Sequence, residues 1–409
     1  NAKVEEERYY RTYARKYCAI GTYPPIDQKA AQFKSQELTP WLSDCPSQIL
    51  RNSAVNWYQT YQKFMKGLCG RPRRKAKTDK GSVYLTRELF NFEHCQDGNI
   101  RLFIGTKTNN IGYLSFKTHR EFEIPNSLYV RKERGQYYVS FCYENGVNET
   151  SLSSNAEHLA FLQGAPREFL EQYTIGIDRG VAIPAQAGEQ SFDFSANQKH
   201  HLSKADRYLQ RLQRKLARQQ KGSNRRTKTK RRISGYHGKK GNVRRDFNHQ
   251  TSRALVNSHA KVFVFEALRT AQMTRRPNAK QDEAGHFLPN KAKQKAGLNK
   301  AILHSGWHML ESFTKYKAYQ AGKAFFKISA SYTSQECAVC GYIHPANRIS
   351  QSLFGCGKCG NTDNADHNAS LVIKKRAITL ILDSGTELSA ADVLTAAADI
   401  GRGGKRKAG

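Results

Sequence analysis

FGCGKCGNTDNADHNAS, residues 354–370, holds two cysteines, two aspartates and a histidine within seventeen positions. Its reading turns on whether these residues serve one metal site or two. Cys356 and Cys359 form a C-x-x-C pair, and a second pair, Cys337 and Cys340, lies upstream across a spacer of fifteen residues. Two such knuckles can place four thiolates tetrahedrally around Zn²⁺ at ~2.3 Å, and a spacer of this length suits a ribbon of short strands. Gly341, Gly357 and Gly360 supply the positive φ angles that knuckles commonly need. Disulfides are the competing use of paired cysteines, but nine cysteines is an odd number, and in a reducing compartment C-x-x-C pairs favour metal. One structural Zn²⁺ is therefore expected on Cys337, Cys340, Cys356 and Cys359. His344 and His367 are close enough in sequence to be ligands, yet four thiolates already complete the shell. The other five cysteines, Cys18, Cys45, Cys69, Cys95 and Cys142, read as small buried hydrophobes.

With the cysteines assigned, Asp366 needs a separate account. Acids at the ends of apolar strands are its natural partners, because a strand end holds a carboxylate rigidly while leaving it accessible. Asp178 ends TIGID and Glu266 ends VFVFE. In both, four residues suited to a buried strand finish in a carboxylate that is costly to bury unless paired or metal-bound. Two strand-end acids followed by a third at a helix start is the layout of ribonuclease-H-like nucleases, in which three acids hold two Mg²⁺ ions ~3.5–4 Å apart for phosphodiester hydrolysis. Oxygen donors suit Mg²⁺ and thiolates suit zinc, so the opening stretch reads as two sites side by side. Taken singly, Asp178 also fits a turn residue before glycine, Glu266 an edge-strand cap, and Asp366 a helix N-cap. Asp363 is the fallback for the third acid.

The charge points to the same kind of partner. The 409 residues carry 67 Lys and Arg against 34 Asp and Glu, a formal net charge of +33, with a pI of about 9.9. That excess favours a polyanion, with nucleic acid first and a membrane surface second. No run of eighteen apolar residues and no signal-peptide core is present, so neither spanning nor secretion is supported, and a cytoplasmic, nucleoid-associated protein is expected. The chain opens at Asn1 rather than Met, on residues that already read as helical, which leaves room for a segment upstream.

Along the chain, Tyr9, Tyr10, Tyr13 and Tyr17, then Val55, Tyr58, Tyr61 and Met65, recur at helical spacing, giving a helical lobe over 1–80 that ends in the basic GRPRRKAK at 70–77. The period then changes to two: Ile100, Leu102 and Ile104, and Tyr137, Val139, Phe141 and Tyr143, alternate in a β-rich module over 81–165 with Gly135 at a turn. A short helix over 155–172 leads into the strand that ends at Asp178. Between Lys204 and Arg245, seventeen Lys and Arg face one acid, Asp206, a net +16. Leu202, Leu209, Leu212 and Leu216 give the first half an apolar stripe, so an amphipathic helix followed by a Gly/Ser/Arg-rich loop is expected. Arg207, Arg211, Arg214, Lys215 and Arg218 recur every three or four residues beside that stripe, and with Arg73 and Arg74 they are the candidate nucleic-acid contacts. A solvated face is the plainer reading, but such a face normally mixes signs. A second helix should follow ADHNAS, and a flexible tail is expected over 383–409.

GIDRG, VFEAL, LHSGWHMLESFTKYKAYQAGKAFFKIS, YTSQECAVCG and CGKCGNTDNADHNAS together resemble the RuvC-type nuclease and zinc-ribbon half of the TnpB family, transposon-encoded RNA-guided nucleases similar to the ancestors of type V CRISPR effectors. The resemblance runs from about 173 to 376 and is weaker at GRPRRKAKTDKGSVYLTREL. It implies an α/β plus β-barrel fold: a helical recognition lobe and wedge β-barrel, then a ribonuclease-H-like RuvC nuclease (166–330 and 363–382) with a zinc ribbon (331–362) inserted before its last acid. It further implies a guide RNA from the transposon end, a double-stranded DNA target beside a short target-adjacent motif, and Mg²⁺-dependent DNA cleavage. By position Asp178, Glu266 and Asp366 match the catalytic acids and Cys337, Cys340, Cys356 and Cys359 the ribbon. Two departures stand out: the short Pro-containing strand that usually opens the family is not found, and Asn364 replaces an acid in the family's last motif. An RNA-guided binder without nuclease activity, a ribonuclease-H-like transposase, and a basic RNA-binding protein without chemistry are the competing readings.

Overall fold

The computed structural model describes residues 36–37, 39–73, 81–95, 98–107, 109–118, 121–143 and 152–396. The chain divides into two compact units, Asn1–Gly146 and Val147–Gly409.

In the first unit, helix α1 (Ser47–Met65) starts directly after Pro46, whose fixed φ suits the start of a helix. Strands β1 (Gly81–Thr86), β2 (Phe90–His94), β3 (Ile100–Gly105), β4 (Asn110–Phe116), β5 (Ser127–Glu133) and β6 (Gln136–Cys142) follow. They pair antiparallel in two three-stranded sheets, β1-β5-β6 and β2-β3-β4, rather than in one hydrogen-bonded barrel. Leu102 and Ile104 join a core with Ile49, Leu85, Leu89, Phe90 and Leu128, and Ile100, which alternates with them, is buried as well. Arg134 (φ 56°) and Gly135 (φ 78°) close the β5–β6 hairpin with two left-handed residues, the conformation that matches strand twist. The aromatic stripe expected on α1 is not its buried face: Ile49 and Ala54 are buried, and Met65 is exposed. The Tyr9–Tyr17 run, Cys18 and Arg74 lie outside the described residues. Two further cysteine expectations are overturned, because Cys69 and Cys142 are exposed, while Cys45 and Cys95 are half-buried.

The second unit is a three-layer α/β structure. Helices α2 (Asn155–Gln163) and α3 (Arg167–Tyr173) precede strands β7 (Thr174–Asp178), β8 (Ala185–Ala187) and β9 (Gln190–Phe192). Helices α4 (Ala196–Arg218) and α5 (Asn224–Asn257) lead to β10 (Val262–Glu266), then α6 (Thr270–Met273), a hairpin of β11 (Lys280–Gln281) and β12 (Phe287–Leu288), α7 (Ala292–Ser305), α8 (Trp307–Gln320) and β13 (Ala324–Ile328). The sheet order is β13-β10-β7-β8-β9, with β7, β10 and β13 parallel and β8 and β9 antiparallel. VFVF in β10 alternates by residue: Val262 and Val264 pack in one core with Leu159, Leu170 and Ile373, whereas Phe263 and Phe265 pack in the other with Leu255, Leu310 and Ala318. A strand covered on both faces needs this continuous apolar run.

After β13 come β14 (Leu353–Gly355) and β15 (Thr362–Asn364), paired antiparallel, and then helix α9 (Ala365–Leu382). Helix α9 lies directly on β7. A Cβ on Gly176 would stand 2.2 Å from the Ser370 carbonyl oxygen and 2.6 Å from the Lys374 nitrogen, so only glycine permits this approach.

Three sequence expectations are corrected in this unit. Residues 224–257 form a helix instead of a Gly/Ser/Arg-rich loop: Ser223 caps it by accepting from the Arg226 N–H, and it is held against α4 by the stacked rings of Tyr208 and Tyr236 (5.3 Å) and by the Lys240–Asp206 ion pair (2.5 Å). The β module ends before 165, because Leu159 and Leu162 of α2 belong to the second unit's core. Residues 383–396 are not a loose tail: β16 (Glu387–Leu388) pairs with β17 (Leu394–Thr395), and Leu394 is buried in the same core. Among the described residues no helix is long and apolar enough to cross a membrane.

Candidate active site

The fold brings the three acids to one place. Asp178 ends β7 and Glu266 ends its parallel neighbour β10, so both lie at the carboxyl edge of the sheet. Asp366 occupies the first turn of α9, which β7 receives over Gly176. Beyond Asp178, Gly180 comes so close to α9 that a Cβ there would stand 3.4 Å from Asp366 Oδ2. The N-cap of α9 is Asn364, whose side chain accepts the N–H groups of Asp366 (2.9 Å) and His367 (3.2 Å). The asparagine that departs from the family pattern thus caps the helix and leaves the Asp366 carboxylate unspent on capping.

The electrostatics are those of buried carboxylates that the nearby arginines only partly offset. Burial, and then the charges of Glu266 and Asp366, push the Asp178 carboxyl up to about 8. Burial also raises Glu266, against the opposing Thr333 hydroxyl bond and Arg179, and raises Asp366 against Arg348. Arg348 Nη2 lies 3.6 Å from Asp366 Oδ1. Three desolvated carboxylates, with Asp178 raised further by the charges of the other two, are a hard-oxygen donor set whose repulsion a divalent cation would relieve, so the residues fit Mg²⁺. Asp363, the fallback acid, is otherwise engaged: its Oδ2 meets His367 Nδ1 at 2.8 Å, and its Oδ1 accepts the Asn364 N–H at 2.6 Å.

Several residues that sequence reasoning missed hold this arrangement. Arg179 is buried, with its guanidinium over the Phe265 ring (5.2 Å), Nη1 2.6 Å from Glu311, and Nη2 donating to the Glu266 carbonyl. It ties the end of β7 to the end of β10 and to α8. Trp307 Nε1 donates to the Gly180 carbonyl at 2.9 Å. Thr333 donates to the Glu266 carboxylate. A basic residue immediately after a buried strand in DRG was a signal for Arg179, since such a charge requires partners. Nothing local marks Thr333 or Arg348.

Proton release by Asp178 gives a measurable sign. Its carboxyl holds a proton up to about pH 8, while the unfolded chain releases it near the ordinary aspartate value of 3.8, so the associated stability is present below about pH 4 and lost as pH rises towards 8. Without added divalent cation, Asp178→Asn should therefore melt above the unsubstituted protein at pH 8.5, by about 2–4 °C for each kcal/mol relieved, with the gap narrowing as pH falls and closing below about pH 4. Equal melting across this range would show that Asp178 is not strained by its neighbours.

The four ribbon thiols also converge. Cys337 Sγ and Cys359 Sγ are 3.6 Å apart, as are Cys340 Sγ and Cys356 Sγ, and all four sulfurs lie within 4.8 Å of one another. Tetrahedral Zn–S bonds of ~2.3 Å require sulfur separations of about 3.8 Å, so the set fits zinc. The backbone N–H of Cys359 foremost holds the Cys356 thiol down at about 6. His344 is not in the set, and its Nδ1 accepts the Ala346 N–H instead. The knuckle is clamped to α9 by Asn368, which is fully buried, accepts the Ala338 N–H at 2.9 Å and donates to the Glu336 carbonyl at 2.8 Å; Lys375 and Arg376 add bonds to Ala338 and Glu336. Metal analysis should find one zinc per chain, and Cys356→Ser should lose it and lower the melting temperature. A protein free of zinc with the same melting temperature would refute this.

The candidate nucleic-acid contacts Arg207, Arg211, Arg214, Lys215 and Arg218 are all exposed on α4, opposite the buried Leu202, Ala205 and Leu209. Arg73 is exposed as well.

The family model "Cas12f1-like, TNB domain" matches residues 307–373, and the model OrfB_IS605, described as "Probable transposase", matches 140–276. "Putative RNA-guided DNA endonuclease InsQ" of Escherichia coli (strain K12) is 28% identical over 352 residues, 85% of this chain and 79% of that protein. The chain is TnpB-like. A "CRISPR-associated endodeoxyribonuclease Cas12f1" of Sulfoacidibacillus thermotolerans is 36% identical to this TnpB-like chain over 129 residues, 32% of the chain and 26% of that protein. Among solved structures, a chain of a Cas12f1-sgRNA-target DNA complex shares 14% identity at a TM-score of 0.47, covering 90% of this chain and 78% of its own.

Proposed function

We propose that this protein is an RNA-guided, Mg²⁺-dependent DNA endonuclease. The observation that carries the reading is the convergence of Asp178, Glu266 and Asp366 from two parallel strand ends and a helix start, with Asp178 raised by the other two. These three side chains would hold two Mg²⁺ ions. When bound, such ions polarise a phosphodiester and lower the pKa of water. The chain's own part is positional. Arg179 keeps the ends of β7 and β10 in register, Gly176 lets α9 deliver Asp366, and Asn368 fixes the ribbon to the same helix.

The acid cluster offers no base-reading groups, and the names of the related proteins point to a bound RNA for selecting the strand. A heteroduplex is recognised through its backbone and A-form shape, which calls for many Arg and Lys contacts and little base readout. The exposed basic face of α4 has that character, and we place guide RNA or heteroduplex there, on Arg207, Arg211, Arg214, Lys215 and Arg218, with Arg73 and Arg74 contributing from the first unit. The related proteins are named as RNA-guided DNA endonuclease and CRISPR-associated endodeoxyribonuclease, which supports the same reading. A guide from the transposon end, a target-adjacent motif, the wedge-barrel role of the β module and a cytoplasmic, nucleoid-associated location complete the proposal. The second reading, a DNA strand-transfer enzyme, draws on the description of the model matching 140–276.

Sequencing the RNA that co-purifies with the protein, and then programming cleavage with a changed guide, tests the proposal. Cutting should follow the guide and require Mg²⁺. Replacing Arg211, Arg214 and Arg218 together with alanine should weaken binding for every guide alike and make the slope of log K against log salt shallower by roughly 2–3 units. DNA joining without RNA would favour strand transfer, and an unchanged salt slope would return α4 to a solvated face.

A further inference from the structure

Helices α5 and α7, with the segment after α6, line a half-open cleft of about 780 Å³. That is within the ~300–1,000 Å³ of small-molecule sites. None of its walls is an acid of the candidate active site or a ribbon thiol. Four cations line it, Lys240, Arg244, Arg276 and Lys300. The carboxylate that faces them is Asp206, which is paired with Lys240 at 2.5 Å. Arg244, Arg276 and Lys300 form no salt bridge with any described carboxylate. Arg244 is partly buried, its charge opposed by burial and favoured by Asp206, which Lys240 already holds, so an anion in the cleft would relieve it.

Two further groups argue for more than a bare anion. Asn299 donates Nδ2 to the Thr274 carbonyl at 2.8 Å, while its buried Oδ1 has no donor. Buried acceptors are ordinarily satisfied, so this one awaits an N–H. His304, held below the ordinary histidine value by burial and by Lys240 and Arg244, stays a neutral imidazole against the Phe194 ring. Ala296 and Leu303 supply an apolar wall beside them.

We propose that this cavity binds a nucleoside phosphate, with its phosphate on Arg244 and Lys300, its base against Leu303, and a base N–H on Asn299 Oδ1. A free nucleotide and an unpaired nucleotide of a bound RNA share this chemistry. The site is independent of cleavage: binding is measured without divalent cation, so its failure leaves the nuclease reading standing, and inactive protein leaves this one standing.

The test is calorimetry on the full chain, stripped of nucleic acid in high salt, with the four nucleoside 5′-monophosphates, inorganic phosphate and an unpaired RNA hexamer as probes. At least one monophosphate should bind saturably, one per chain. Arg244→Gln and Lys300→Gln should each weaken it about tenfold, as the loss of a charged hydrogen bond predicts, with Arg167→Gln as the control that leaves it unchanged. Asn299→Leu should weaken the monophosphate about tenfold and leave inorganic phosphate binding unchanged. Displacement of the monophosphate by the hexamer identifies bound RNA as the source, and binding without displacement identifies free nucleotide. Because Lys300 is exposed, its substitution probes the site even where Arg244→Gln disturbs folding. No saturable monophosphate binding, or affinity unchanged in both cation variants, overturns the proposal.

Discussion

Alanine at Asp178, Glu266 or Asp366 is expected to lower the proposed guide-directed DNA cleavage by at least ~10³-fold, the scale on which members of a cooperating catalytic set fail, while guide and target binding should stay close to those of the unsubstituted protein. Each acid comes from a different element, so each loss leaves the cluster with a different pair and the same deficiency. Folding should not suffer, because burial already penalises the three charges. Removing Asp178 relieves the repulsion that raises it to about 8. Asp363→Ala is the internal comparison. Its carboxylate is held by His367 at 2.8 Å and does not raise Asp178, so cleavage should survive. Cleavage retained in Asp366→Ala and lost in Asp363→Ala would exchange the two roles. A time course with a matched guide and target, beside a binding measurement for each variant, distinguishes these outcomes.

Gly176→Ala should be the most damaging single methyl group in the second unit. The added carbon would stand 2.2 Å from the Ser370 carbonyl oxygen and 2.6 Å from the Lys374 nitrogen, both main-chain atoms that no rotamer change can clear. Helix α9 must then lift from β7, opening the core that Ile373, Ala377 and Ile381 share with Val264 and Phe326. Overpacking of this kind costs about 3 kcal/mol or more. Because Asp366 rides on the lifted helix, cleavage should fall below what the remaining folded fraction accounts for. Urea unfolding read beside cleavage separates the two effects. A variant as stable and active as the parent would mean that α9 does not rest on β7.

Much of the candidate site was legible before any coordinates, and for local reasons. Strand-end acids announce themselves because a run such as VFVF can only be a buried strand, and the carboxylate that ends it must be answered by something. The two C-x-x-C pairs are equally local, since knuckle geometry is set by spacing. A helix was legible after ADHNAS, but it begins earlier, at Ala365, because the Asn364 side chain caps it. The basic stripe on α4 was legible in the same way, through the spacing of its leucines, and its residues are exposed as that spacing requires.

What was misread depended on distant neighbours. The second half of 204–245 looks like a loop by composition, yet it belongs to the helix Asn224–Asn257, where Tyr236 and Lys240 find Tyr208 and Asp206 on α4. Cys69 and Cys142 are apolar enough to bury, but no core reaches them. Residues 383–396 carry little pattern and are ordered by Leu394 entering the core of the second unit. Local chemistry thus named the acids, the thiolates and the elements that carry them. Arg179 bonding the Glu266 carbonyl, Arg348 reaching Asp366 and the glycine contact that seats α9 arose from packing between segments far apart in the chain. A residue's own spacing carries no record of such partners, because burial and charge are properties of the folded neighbourhood and not of the residue.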